Sequence, residues 1–197
     1  VELRVILGEP GGRAATKERT RLHAIDRAWL EASPLCLVAT ADGQGNCDVS
    51  PKGDPAGFTV VLDDATIAIP ERGGNRRADG FRNVLRNPHV GLIYLVPGRG
   101  DTLRINGRAR LVREAAFFDQ MIVKGHRPKL ALVVEIEQIF FHCAKAFLRS
   151  ALWQPETWRP DALPSHAQLV KAVQWTQETL EELERPYGPE YTKLLYG

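Results

Sequence analysis

Cysteine is scarce and scattered in this 197-residue chain, with Cys36, Cys47 and Cys143 widely spaced and no CxxC pair among them. That spacing argues against a disulfide framework or a zinc knuckle and suits a reducing, cytoplasmic compartment. The histidines, at 23, 89, 126, 142 and 166, form no HxxxH or HExxH pattern, so no metal site is expected. Long apolar runs are missing as well. The candidates Val90–Val96 and Leu130–Val134 are strand-sized, far short of the roughly 18 residues of a membrane span. Val1–Leu7 carries Glu2 and Arg4 and runs into Gly8, Pro10, Gly11 and Gly12, which is not the pattern of a secretory leader. With no internal repeat either, the expectation is one soluble domain with no membrane partner.

What is present is an ordinary globular composition, 44% apolar and 25% charged, with a net charge of only +2 that is unevenly spread. From Arg72 to Arg113 there are ten arginines, no lysine, and only Asp79 and Asp101 as acids. Near the end the balance reverses, with Glu178, Glu181, Glu182, Glu184 and Glu190. Arginine alone at such density suits a phosphate or carboxylate ligand, because the guanidinium fork pairs with those oxygens bidentately. A solvated basic face is the competing reading. Nucleic acid is not the expected partner: total charge is near neutral and no stacking aromatics alternate with the arginines.

Residues 8–15 read as a flexible lead-in. Leu22, Ile25, Trp29 and Leu30 then follow helical spacing, predicting a helix from Thr16 to Ser33 that Pro34 stops. The period changes afterwards. Short extended runs at Leu35–Thr40, Cys47–Ser50, Phe58–Leu62 and Thr66–Ile69 are joined by Asp- and Gly-rich turns too short for parallel crossovers, so they pair antiparallel. Asn75–Arg86 reads as one inserted helix, with Ala78, Phe81, Val84 and Leu85 on its apolar face. Val90–Leu95 and Leu103–Val112 are strands. In the second, Leu103, Ile105, Gly107, Ala109 and Leu111 alternate strictly with Thr102, Arg104, Asn106, Arg108 and Arg110. Glu114–Met121 reads as a short helix, Lys129–Phe141 as a long strand and Ala144–Leu148 as helical. A final helix runs from Ser165, with Gln168 completing a capping box, to just before Pro186, on a stripe of Leu169, Val173, Leu180 and Leu183. The divisions are a lead-in at 1–15, the main domain at 16–155 and a helical extension at 156–197.

Three segments could carry chemistry. In Ile69-Pro-Glu-Arg-Gly-Gly-Asn-Arg-Arg-Ala-Asp79 a strand ends, a glycine loop follows, Asn75 stands as N-cap, and Arg76 and Arg77 fill the first turn. Cations there oppose the helix dipole unless an anion sits at that end. The alternative is an exposed basic loop paired to Glu71 and Asp79. Ser50-Pro-Lys-Gly-Asp-Pro55 closes a strand as a rigid turn, with Lys52 as a further cation, although that composition is common in turns. The arginine row on the 102–112 strand either lines a groove or faces water. No Asp, Glu or His stands out as an acid–base catalyst.

The blocks SPKGDPAGF (50–58), IPERGGNRR (69–77), NPHVGL (87–92), LVPGRGDTLRINGRA (95–109) and HCAKAFLRSALW (142–153) resemble the pyridoxamine 5′-phosphate oxidase-like, FMN-binding split-barrel superfamily over about residues 20–155. The resemblance implies a mainly β fold with flanking helices, a six-stranded antiparallel Greek-key split barrel. It implies a homodimer holding two FMN at its interface and moving hydride or electrons to a small-molecule substrate, or a non-catalytic module that binds or senses flavin, F420 or haem. Carried onto this chain, Arg72, Arg76 and Arg77, with Asn75 as cap, meet the phosphate. Ile69 and Pro70 lie along the flavin, Ser50 and Lys52 near the ring, Thr102 and Arg104 beneath it, and Lys145, Arg149 and Trp153 reach across from the partner subunit. The C-terminal substrate block of the true pyridoxamine-phosphate oxidases is not matched, so vitamin B6 oxidation is not implied. A dimer is expected even without cofactor, because the apolar strands at 90–95 and 130–136 leave much surface for so small a barrel. Sedimentation at micromolar concentration checks this, a monomer being the contrary result.

Overall fold

A seven-stranded antiparallel sheet organises the chain, in the order β2-β1-β5-β6-β7-β4-β3. Its strands are β1 (Leu35–Ala41), β2 (Cys47–Gly53), β3 (Val60–Val61), β4 (Thr66–Pro70), β5 (His89–Leu95), β6 (Thr102–Val112) and β7 (Ala131–His142). The computed structural model describes residues 2–187, 191, 195 and 196. A β5–β6–β7 meander occupies the centre, and the β1–β2 and β3–β4 hairpins attach to opposite sides through β1–β5 and β4–β7 pairing. The resemblance implied six strands, but all seven extended runs of the sequence pair, the Phe58–Leu62 run through only two residues.

The sheet bends around one core. Cys36 and Val38 of β1 and Ile67 and Ile69 of β4, from opposite halves of the strand order, pack in the same cluster as Leu92, Leu103, Ile105 and Ile139. Alternation dictates this: along β6, Leu103, Ile105 and Ala109 are buried, while Arg108 and Arg110 are exposed. β2 and β3 end the hydrogen-bonded order, so the barrel stays open along a seam. Cys36 lies in the core, where desolvation pushes its thiol up to about 12, and none of the three cysteines is disulfide-bonded.

The helices depart from the sequence pattern at their ends. The lead-in contains two short helices, α1 (Glu2–Leu7) and α2 (Gly12–Ala15), neither burying a residue. The helix expected from Thr16 begins only at Ala24, as α3 (Ala24–Ala32). Arg19 instead makes a β-bridge to Ile139, and its guanidinium forms an ion pair with the buried Asp26. His23 caps α3 reciprocally with Asp26, and Ile25 is left exposed. The inserted helix is α4 (Asp79–Arg86), four residues shorter than expected, so Asn75 is not its N-cap. Ala78 holds that position with a left-handed φ of 56°. Of the expected face only Val84 is fully buried, whereas Leu85 is 74% exposed. The segment after β6 is a 3₁₀ helix at Ala116–Met121, and α5 (Lys145–Ser150) follows β7.

The Ser165 capping box is present, but the single terminal helix is two: α6 (His166–Val173) and α7 (Leu180–Glu184), the latter with its own Thr179–Glu182 box. They meet through Ala167, Val170 and Leu183, while Val173 faces solvent. The parts of the lead-in and the extension at 1, 188–190, 192–194 and 197 lie outside the described residues. No helix among those described is long and apolar enough to cross a membrane.

Where β6 meets β7 the register shifts at Asn106/Gly107, a bulge. A Cβ at Gly107 would overlap the Glu135 carbonyl oxygen and come within 3.2 Å of Val134 Cγ1. Gly107→Ala should therefore lower stability by about 1–3 kcal/mol, read as a shifted midpoint in urea denaturation.

Candidate functional site

The open seam holds a cleft of about 540 Å³ between β2, the segment leaving β4, and the start of α4. Its floor is apolar, from Val38, Phe58, Val84 and Leu132, and its rim is charged. Strand alternation accounts for both. Val38 belongs to the core row of β1, whereas Ser50 and Lys52 occupy the half-buried row of β2.

The rim carries as many acids as cations, and most are matched. Lys52 pairs with Glu71, closing the seam from β2 to the end of β4, and its ammonium lies 4.8 Å from the Phe81 ring centre. Arg77 donates to Asp79 at 2.7 Å, which raises its pKa further. Asp48 accepts from the Ser50 hydroxyl at 2.8 Å. It also lies so close to α4 that a Cβ on Gly80 would come within 3.0 Å of its carboxylate. Arg76 has no hydrogen-bond or ion-pair partner among the described residues. It extends from a backbone at φ 61°, two residues before Ala78 at 56°. Left-handed non-glycine residues cost about 1–2 kcal/mol each, so this loop is held in its shape by its surroundings.

Arg72, which the resemblance would set at the phosphate, is engaged within the chain. Its Nε donates to Asp54 Oδ2 at 2.6 Å, Nη2 to the Met121 carbonyl at 2.6 Å and Nη1 to the His126 carbonyl at 3.4 Å. The Asp54 side chain is 1% exposed. Arg72 is therefore a brace between β2, the exit of β4 and the 121–126 segment, with its donors directed at protein acceptors.

Of the residues singled out from sequence, Ser50, Lys52, Pro70, Arg72, Asn75, Arg76 and Arg77 line this cleft. Asn75 accepts from the Arg77 N–H, a loop contact in place of the expected helix cap. Ile69 is buried in the core. Thr102 is buried, and Arg104 turns to the other face of the sheet, where it donates to Asn106 and lies 5.5 Å from the Phe140 ring centre. Lys145 and Arg149 are exposed on α5, and Trp153 stacks on Phe147 while donating to the Arg99 carbonyl. These last five stand apart from the cleft of their own chain. Sequence reasoning passed over Asp48, Asp54 and Gly80, whose importance comes from contacts across the seam. It weighed Glu71 only as a partner for the basic loop, and Glu71 pairs with Lys52 instead.

The two arginines should separate cleanly. Arg72→Met leaves a buried carboxylate unpaired and should cost about 3 kcal/mol, whereas Arg76→Ala should leave the unfolding midpoint where it was. Chemical denaturation without ligand reads both.

Comparison with known proteins places these features. The profile of the pyridoxamine 5′-phosphate oxidase family matches residues 23–143, more than half of the chain, from the cap of α3 to the end of β7. Among solved structures, HupZ of Group A Streptococcus is 20% identical over 61% of this chain and 93% of its own, with a TM-score of 0.49. A candidate pyridoxamine 5′-phosphate oxidase from Lactobacillus delbrueckii is 22% identical over 64% and 99%, also at 0.49. An FMN-binding protein from Syntrophomonas wolfei is 16% identical over 60% and 89%, at 0.45. No curated protein matches the sequence. On the extent of the profile match, which takes in β1 to β7 and every residue lining the cleft, the chain belongs to the pyridoxamine 5′-phosphate oxidase family.

Proposed function

We propose that the cleft binds FMN and that the protein is an FMN-dependent oxidoreductase acting on a small molecule. The observation that carries this reading is the pairing of an apolar floor with a rim cation, Arg76, that has no ion-pair partner among the described residues. A flat ring with a terminal phosphate has that same division of character. The volume falls within the range of roughly 300–1,000 Å³ usual for small-molecule sites. Family membership points the same way.

In this reading Arg76 and Arg77 hold the phosphate. The first-turn N–H groups of α4 add to them, since a helix start has donors without intrahelical acceptors. Ser50 and Lys52 border the ring, and Val38, Phe58 and Leu132 exclude water beneath it. When bound, the isoalloxazine supplies the hydride chemistry, and the chain's task is position, phosphate anchoring and electrostatics. Lys145 and Arg149, exposed on α5 and four residues apart on one face, serve the site of a second copy in a homodimer.

Purified protein should show the two-band flavin absorbance after incubation with FMN, and that spectrum should bleach anaerobically with a nicotinamide donor. Absence of bound flavin rejects the reading, and binding without reduction by any donor leaves only a flavin carrier or sensor. Arg76→Ala should weaken FMN about tenfold or more and leave riboflavin affinity unchanged, by fluorescence titration. In a mixed dimer, one subunit carries Arg76→Ala with Arg77→Ala and the other Lys145→Ala with Arg149→Ala. Shared sites predict that half regain normal affinity, and independent sites predict that none does.

A further inference from the structure

Tyr196 lies 142 positions from Asp54 in sequence, yet its hydroxyl donates to Asp54 Oδ1 at 2.6 Å. The other oxygen of that carboxylate holds Arg72. The phenol ring is boxed in. The Arg72 guanidinium and the Lys124 ammonium each lie 5.6 Å from its centre, and the His126 ring stacks on it at 6.0 Å and 28°. Lys124 and His126 are presented by a tight turn in which Val123 and His126 exchange backbone hydrogen bonds. Lys124 and Gly125 between them have φ of 50° and 79°. Two consecutive left-handed residues are what a type I′ hairpin turn requires. The receiving surface is therefore set by its own backbone, and cations within about 6 Å of an aromatic face attract it.

These contacts converge on the root of the cleft's loop. Arg72 is the last braced residue before Gly73 and Gly74, and Arg76 follows two residues later. The bond to Asp54 also raises the phenol's pKa, so the hydroxyl stays a donor across the physiological range.

We propose that Tyr196 is a positioning residue for the cleft, clasping the Asp54–Arg72 pair and thereby setting the loop that presents Arg76 to a ligand's phosphate. This rests on the FMN reading above for the identity of the ligand, but not for the existence of the clasp. A residue acting through Arg76 affects the phosphate end alone, whereas general loosening of the fold weakens phosphate-bearing and phosphate-free flavins alike.

The test is fluorescence titration of Tyr196→Phe, which keeps the ring and removes the hydroxyl, with Tyr196→Ala as a second variant. The expected result is FMN affinity about three- to tenfold weaker in Tyr196→Phe, at least as weak in Tyr196→Ala, and riboflavin affinity unchanged in both. Affinity for both flavins falling together, or neither changing, overturns the proposal. If the unmodified protein takes up no FMN, the functional reading fails on its own, and hydrogen exchange of residues 71–78 without ligand decides the clasp. Faster exchange in Tyr196→Phe sustains it, and equal exchange rejects it.

Discussion

A meander has two free sides, and the β5–β6–β7 unit offers them to β1 and β4. Both must also contribute Val38 and Ile69 to a single core, so the sheet curves until its ends approach without joining. An unpaired edge exposes backbone donors and acceptors and invites pairing with another chain. Here β3 is only two residues long, and β2 carries Lys52, whose ion pair with Glu71 spans the gap. The cleft is the space that this incomplete closure leaves. Its apolar floor is core that the seam uncovers, and its charged rim belongs to the two strand ends and the helix that follows β4.

The electrostatics of the rim follow from that position. An isolated charge in a partly enclosed cleft loses hydration, and the cost is met by pairing. Lys52 with Glu71 and Arg72 with Asp54 are the half-buried and buried cases, and Arg77 with Asp79 is the exposed one. The exposed pair contributes little to stability. The buried pair organises the exit of β4, since Arg72 also donates to two carbonyls of the 121–126 segment. Once these are matched, Arg76 is left at the cleft with no ion-pair partner among the described residues. A local excess of charge in sequence is thus a poor measure of charge available at a site.

The start of α4 has the same origin. Asn75 is a good N-cap residue and Arg76 and Arg77 are good helix formers, yet the helix begins at Asp79. Gly80 has to approach Asp48 of β2 closely, and the two left-handed residues Arg76 and Ala78 turn the chain into that contact. Local preference yields to the packing of α4 against β1 and β2. The loop that results presents Arg76 outward.

Much of the architecture was legible in the chain itself. Period-two alternation in Leu103–Val112 located β6 and its wet face, the Asp- and Gly-rich turns required antiparallel pairing, and the Ser165 box marked the start of α6. The segments IPERGGNRR and SPKGD, each a strand end with a turn in sequence and joined only by the family resemblance, line one cleft. Tertiary structure decided which charges are spoken for, where α3 and α4 begin, and that Thr102, Arg104, Lys145, Arg149 and Trp153 stand away from the cleft of their own chain. It also brought Tyr196 to Asp54 across 142 positions. Periodicity and turn chemistry report on neighbours a few residues apart, whereas ion pairs, close approaches and the seam depend on strand order. That order is set only when the two hairpins compete for the sides of the meander and share its core.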